Sequence, residues 1–413
     1  MKKTVVALAL FCTAALPAFG QEYSLGEETK GMKVKISDDT EFALRVRLQP
    51  RFDTGDLIAS KDAKSYESSS DMYLRRIRLE MDGKLVKNLK YNLTFEADKN
   101  GIRGKDSASK SNETKIQYAY FDYLFSDEAG IRFGKAKLPY SRVSLTSSSK
   151  QLIIERPVST EAAKKLFDDY YQTNFLLHGK VADGIVAYDL AMADGWENKN
   201  IIYEQGKYLA GDTAATKVFT SDPLYIARIE ISPPGFFEAS KSDAHLGKGR
   251  HVTLGLSYAG QKSIEYTNDN AAAANESEDR TLMSADLSAH FGGLTLQTEY
   301  IAWKQDYTAA AKADKEPRGY YVQAGYLIPG MNIEPVARYE IYDQDTNAPA
   351  GADDTEEKTT TVGLNWYGKG HSFKIGVNWV HSDFGKNAKS DVGVSGADTD
   401  KRDVYQIQAQ VYF

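Results

Sequence analysis

The 413-residue chain has a single cysteine, Cys12, and it lies in an N-terminal stretch that reads as a removable leader. The remainder therefore has no thiol for a disulfide, a thiolate zinc site or a haem thioether link. Long hydrophobic runs are missing as well: nowhere does the sequence reach the roughly 18–20 uninterrupted apolar residues of a transmembrane helix. Histidine is scarce, with His178, His245, His251, His290, His371 and His381 spread along the chain and no close pair among them. That spacing suits neither a metal centre nor a nucleophile–base array, so no enzyme activity, metal or cofactor is expected. The stretch Gly247-Lys248-Gly249-Arg250 lacks the further glycine and the strand-to-helix setting of a phosphate-cradling loop. Nucleotide binding is not indicated, and no nucleic-acid partner is expected.

Lys2 and Lys3 precede an apolar run from Val5 to Leu16, followed by Pro17-Ala18-Phe19-Gly20. Two charges, a short apolar segment and small residues at the last and third-last places make a secretory signal peptide, with cleavage expected after Gly20. Residues 1–20 are thus the leader and 21–413 a single domain. Cys12 follows Phe11, where a lipoprotein signal has a small residue, so it is read as filler in the apolar run. The formal charge of −6 becomes −8 when Lys2 and Lys3 leave, and the mean hydropathy is −0.48. A soluble chain of this length would divide into two or more domains, whereas a transmembrane barrel with half-polar strands remains one.

The dominant pattern is strict alternation of apolar and polar residues over about ten positions, a turn, and the same again. Leu44, Val46 and Leu48 alternate with Arg45, Arg47 and Gln49; Tyr91, Leu93, Phe95 and Ala97 alternate with Asn92, Thr94, Glu96 and Asp98. The pattern predicts strands near 43–53, 72–82, 89–98, 115–125, 130–136, 173–181, 185–193, 222–231, 251–259, 281–290, 294–303, 319–328, 332–342, 358–367, 372–381 and 403–413, about sixteen in all. Short links such as Asp183-Gly184, Gly292-Gly293 and Pro329-Gly330 alternate with long polar ones, among them 54–71, 99–114, 137–172, 194–221 and 343–357. Tight turns opposite long loops are the mark of bacterial outer-membrane barrels. The link 232–250 departs from the rule: it should be a tight turn and is long, so either a strand pair is miscounted there or the turn is elaborated.

The last segment alternates Tyr405, Ile407, Ala409, Val411 and Phe413 with Gln406, Gln408, Gln410 and Tyr412. A final strand ending on Phe is the usual signal for the barrel-assembly machinery. Tyr118, Tyr120, Phe121, Tyr123, Tyr320, Tyr321, Tyr326, Trp366, Tyr367 and Trp379 gather near strand ends, as in the aromatic girdles of such barrels. The expected fold is all-β: a transmembrane antiparallel β-barrel in the outer membrane of a Gram-negative bacterium, in contact with lipid and lipopolysaccharide.

With one face of each strand to lipid, the other lines the lumen. Arg45, Arg47 and Arg51 share that face of the first strand; Arg76 and Arg78 share it on the second with Glu80 and Asp82. Arg75 falls on the face of Tyr73, Ile77 and Leu79 and is expected to snorkel at a strand end. A row of guanidinium groups in a wet channel binds oxyanions through paired hydrogen bonds, unless Glu80, Glu96 and Asp98 neutralise it. The third long link carries apolar Leu152, Ile153, Ile154 and Val158, unsuited to an exposed loop and able to pack on the barrel wall. Its basic residues are Lys137, Arg142, Lys150, Arg156, Lys164 and Lys165; its acidic ones are Glu155, Glu161, Asp168 and Asp169. Against them stands 343–357, with Asp343, Asp345, Asp353, Asp354, Glu356 and Glu357 and no Lys or Arg.

The stretches Leu48-Gln49-Pro50-Arg51, Arg75-Arg76-Ile77-Arg78-Leu79-Glu80-Met81-Asp82-Gly83 and Phe133-Gly134-Lys135, followed by the long third loop, resemble the phosphate-selective porin O and P family, most clearly over 43–195. That resemblance implies a sixteen-stranded barrel, commonly a homotrimer, with the third loop folded into the lumen. It also implies passive diffusion of small anions such as phosphate. By the same resemblance Arg45, Arg47, Arg76 and Arg78 line the pore, while Arg142, Lys150 and Arg156 are eyelet candidates. Two other readings stay open: a general or sugar-type diffusion porin using Tyr140, Tyr170 and Tyr171, and a barrel scaffold for a periplasmic or extracellular partner.

Overall fold

A computed structural model describes residues 31–61, 64–100, 114–196, 201–204, 207–210, 219–238, 240–266, 276–308, 313–392, 394 and 401–413. The expected signal peptide, with Cys12, lies outside them. Sixteen strands form the wall: β1 Glu41–Ala59, β2 Tyr66–Val86, β3 Leu89–Asn100, β4 Thr114–Leu124, β5 Gly130–Lys137, β6 Tyr171–Val181, β7 Val186–Ala193 and β8 Leu224–Ile231. They continue as β9 His251–Tyr266, β10 Glu276–Phe291, β11 Leu294–Tyr307, β12 Arg318–Tyr326, β13 Ile333–Asp343, β14 Glu356–Lys369, β15 Phe373–Phe384 and β16 Lys401–Tyr412. Each strand pairs antiparallel with the next, and β16 pairs back with β1, which closes the ring. The seam runs to the chain end, where Val46 and Phe413 exchange N–H···O bonds of 2.7 and 3.0 Å. Short strands at Met32–Lys35 and Phe219–Thr220 add to the edges of β1 and β9, and Ile201–Glu204 pairs with Lys207–Ala210.

The two faces of the wall invert the pattern of a water-soluble protein. On β9, Leu254, Leu256 and Tyr258 are 42–49% exposed, while Thr253 and Ser257 at the alternate positions are buried. Phe121, Phe133, Phe175, Tyr320, Val322, Leu364 and Trp366 are likewise exposed, whereas the buried side chains are chiefly polar or charged. An apolar outside with a polar inside is stable only if lipid bathes the outside. Of the aromatic residues expected at the girdles, Tyr118, Tyr321 and Tyr367 instead turn inward, against Tyr171, Glu299 and Glu334.

Strand count and order agree with the alternation, but the strands are longer. The expected loop 54–71 is mostly ladder, leaving only residues between Ala59 and Tyr66 outside it. Beyond the membrane both faces are wet, so alternation stops while backbone pairing continues; β2 has 21 residues, against the roughly 9–11 that cross a bilayer. The β10–β11 link is a two-residue turn with Gly292 and Gly293 at φ of 50° and 90°, the left-handed pair that a tight hairpin needs. The link 232–250 is an elaborated turn, not a miscount, since β8 and β9 pair directly on either side of it.

The connection 138–170 carries two short helices, α1 Arg142–Leu145 and α2 Val158–Lys164. It hydrogen-bonds to strands on both halves of the ring. Ser284 on β10 donates to the Tyr140 carbonyl at 2.7 Å, Asn365 on β14 to the Leu152 carbonyl at 2.7 Å, Lys374 on β15 to the Gln151 carbonyl at 2.6 Å and Arg338 on β13 to the Glu155 carbonyl at 2.9 Å. Where this connection approaches the wall, the wall has glycine: a Cβ on Gly325 would lie 2.7 Å from a Leu152 methyl, and one on Gly319 2.4 Å from Ser159 Cβ. Gly325→Leu is therefore expected to push Leu152 off the wall and expose the connection. Limited trypsin digestion reads this as new cleavage after Lys150; unchanged resistance would show that the loop does not depend on that contact.

Candidate anion site on the inner wall

A β-bulge sets the geometry. Gln49 pairs with Arg76, but the next residue, Pro50, pairs with Leu74, so Arg75 is the extra residue in β2. Proline has no N–H for the ladder and belongs at such an irregularity. The bulge reverses the phase of β2: Asp71, Tyr73 and Arg75 are buried before it, and Arg76, Arg78 and Glu80 after it. Arg75 therefore does not snorkel outward; it turns inward beside Arg76. On β1 the phase is unbroken, and Arg47, Gln49, Arg51 and Asp53 are all buried on the inner face.

Most of these arginines have carboxylate partners. Arg45 pairs with Asp82 and Glu80, Arg47 with Glu80 at 2.6 Å, and Arg78 with Glu96. Arg51 binds Asp53 at 2.7 Å. Glu155, from the connection 138–170, joins Arg51 and Arg75, the latter at 2.9 Å, and Arg75 also reaches Asp98. Burial drives the Glu155 carboxyl up, but the Arg75 and Arg51 guanidiniums outweigh it and hold the group well below the usual carboxylate range. The linkage sign follows: this tie between connection and wall is complete above about pH 4.5 and is lost only as pH falls through the depressed value.

Arg76 is different. It donates to Gln49 Oε1 at 3.1 Å and forms no ion pair among the described residues. Buried Lys137 also lacks one; its ammonium donates to the Thr146 carbonyl at 2.9 Å and lies 5.8 and 5.7 Å from the Tyr170 and Tyr171 rings. Arg156 stands 5.4 Å and Lys164 5.1 Å from the same Tyr170 ring, so three cations share one π face and its edges. The only carboxylate near Arg156 among the described residues is Glu161, at 3.8 Å.

Several of these groups border one small cleft. Arg75, Arg76, Arg78, Lys115, Arg156 and Lys164 line it, with Glu96, Asp98, Glu161, Asp169, Gln117, Tyr170 and Tyr171. Six cations face four carboxylates, and an excess of donors over acceptors in a partly dry setting suits a small oxyanion.

The eyelet candidates part company here. Arg156 borders the cleft, but Arg142 is fully buried and its guanidinium is taken by both Glu238 oxygens at 2.8 Å. Lys150 reaches Ser240 Oγ at 3.2 Å, beside the link 232–250 and away from the cleft. Lys115 and Lys164 enter the site without having been singled out as pore residues; Lys137, at the mouth of the third loop, stands beside it against the Tyr170 and Tyr171 rings. Of the acidic set 343–357, Asp345 accepts from the backbone N–H of Glu316 and Asn347, and Asp354 from that of Lys386, so these carboxylates order loops. No group of three or more His, Cys, Asp or Glu among the described residues is placed to hold a metal. His245, His251 and His290, far apart in sequence, nevertheless come into contact.

Comparison with known proteins places this geometry. Residues 44–413 match the family described as phosphate-selective porin O and P. An uncharacterized protein of Aquifex aeolicus is 39% identical over 408 residues, spanning 94% of this chain and 91% of the relative. Porin O of Pseudomonas aeruginosa is 22% identical over 82% of this chain and 83% of its own length. Among solved structures, an anion-selective porin from Comamonas acidovorans superposes with a TM-score of 0.59 at 12% identity, covering 91% of this chain and all of that one. OmpT of Vibrio cholerae, in trimer form, gives 0.56 at 10% identity with the same coverages. At these identities the likeness to the solved structures is one of fold.

Glu155→Gln would leave Arg51 and Arg75 with less neutralising charge at the cleft. The chloride-over-potassium permeability ratio is expected to rise, read from zero-current potentials of the variant beside the native protein. An unchanged or lower ratio would place these guanidiniums outside the conducting path.

Proposed function

Because this chain belongs to the phosphate-selective porin O and P family and is an outer-membrane porin, we propose that it passes small anions and holds oxyanions such as phosphate briefly at the cleft of Arg76, Arg156, Lys115 and Lys164. The observation that carries the reading is the charge surplus of that cleft: six cations line it against four carboxylates, and while the arginine row is mostly neutralised, Arg76 is not ion-paired among the described residues. The hydrogen bonds from 138–170 to inner-face side chains of β10, β13, β14 and β15 support this segment lying across the lumen, where it narrows the path. Arg45, Arg47, Arg51 and Arg78 then act as paired lining that shapes the field, and Arg142 and Lys150 as fasteners of the loop. A preformed cleft with a few surplus cations binds an anion weakly enough to release it, as conduction requires.

The rest of the reading follows from the same premise. Residues 1–20 direct export and are removed, the strand ending at Phe413 is recognised by the barrel-assembly machinery, and the apolar outer face meets lipid and lipopolysaccharide. The trimer form of OmpT, a protein of similar fold, supports a homotrimer here.

Inorganic phosphate added to a chloride-conducting bilayer is expected to reduce the current in a saturable way. Arg76→Gln should weaken that block about tenfold, equivalent to ~1.4 kcal/mol of anion binding, with folding intact because no carboxylate is left unpaired. Absence of any saturable block in the native channel would leave a general diffusion porin.

A further inference from the structure

The link 232–250 lies on the side of the ring where the other connections are tight turns, yet Asp243, Ala244, His245 and Leu246 are all buried. It is fastened to the third loop twice. Arg142 clamps Glu238 through two bonds of 2.8 Å, and the N–H groups of Asp243 and Ala244 donate to the Lys150 carbonyl at 3.1 and 2.9 Å. Ala244 and Leu246 also pack with Leu152, Ile153 and Tyr367 in one apolar cluster, and His371 donates to the Ala244 carbonyl at 2.8 Å.

The third fastening is made of imidazoles. His245 stacks flat on His290 with ring centroids 3.8 Å apart, and its Nδ1 lies 2.7 Å from Thr295 Oγ1. His290 meets His251 edge-on, with the two Nδ1 atoms 2.6 Å apart. That contact needs one donor and one acceptor, so both rings cannot be charged together. His245 Nε2 is buried with no hydrogen-bond partner among the described residues.

Most surrounding charges are already engaged. On the link itself stand Glu238, engaged by Arg142, and Lys241, which pairs with Glu230 of β8; Glu230 also binds Arg228. The link also carries Asp243, whose Oδ1 is buried without a hydrogen-bond partner among the described residues and whose carboxyl is pushed up by burial, toward the uncharged form. Arg142 comes from the third loop, and β11 contributes only neutral Thr295 to His245. Beyond Ala244, the cations Lys150, Lys248 and Lys374 face His371.

We propose that 232–250 is an acid-released stopper of the channel: protonation of the His245–His251–His290 cluster expels the link from its seat and widens the passage beside the third loop. The proposal rests on the channel reading above.

Burial, and then the neighbouring His251, depress His245 to about 4 from its ordinary 6.5. An undocked ring takes up its proton as pH falls through about 6.5, whereas the docked ring resists until about 4. Docking is therefore at full strength above that window and weakens within it, by roughly two orders of magnitude from this one ring. The Glu238 carboxyl is pushed up by burial, but Arg142 more than offsets this and holds it below its ordinary range, so the clamp outlasts the histidines.

Single-channel conductance of the native protein between pH 7 and 4 tests this. A reversible rise is expected, absent in His245→Gln and absent in an oxidised Lys150→Cys/Ala244→Cys pair, returning when that disulfide is reduced. A native conductance that stays flat or falls with acid overturns the stopper while leaving the channel standing. So does an equal rise in either variant. A native protein that conducts at no pH overturns both.

Discussion

In hydrocarbon no water is available to a backbone N–H or C=O, so a sheet that crosses a bilayer must have no free edge. The pairing of β1 with β16 meets that requirement, and much else depends on it. Closure fixes an outside and an inside. The outside takes Leu254, Leu256, Tyr258 and their counterparts on the other strands; the inside takes the polar half of each alternation. Sixteen strands enclose more space than wall side chains alone fill. The third loop and the link 232–250 both carry buried residues, and they are tied to each other as well as to the wall.

A polar interior brings its own constraint. A guanidinium away from bulk water is tolerated when it is paired, and removing one partner of a buried pair costs about 3–5 kcal/mol. Arg47, Arg51, Arg75 and Arg78 obey this through Glu80, Asp53, Glu155, Asp98 and Glu96. The chain's formal charge of −6 therefore does not decide what the lumen prefers. On the proposed reading the local balance decides it: Arg76, Arg156 and Lys164 border a cleft with fewer carboxylates than cations, while the acidic residues of 343–357 are partly spent on ordering loops.

The membrane-crossing part of the fold was legible because lipid on one face and water on the other enforce alternation wherever a strand crosses. Where both faces are wet the enforcement ends, and so the ladder beyond Thr54 and before Asp71 looked like a loop. Arg75 was misplaced because a bulge changes phase without changing composition; Pro50 was the one residue that could have marked it. Arg156 is legible from its loop, whereas Arg142 and Lys150 share its charge but reach Glu238 and Ser240, contacts between segments far apart in sequence. The histidine cluster had no local sign at all, since His245, His251 and His290 meet only once the link and two strands are in place.

The central claim is that the surplus cations of the cleft, not the acidic total of the chain, set the selectivity of the pore. The zero-current potential of the native protein in a planar bilayer under a potassium chloride gradient tests it most directly. The account predicts the sign of an anion-selective channel at neutral pH. A cation-selective sign, or no potential, would contradict it and make the acidic mouth the controlling element.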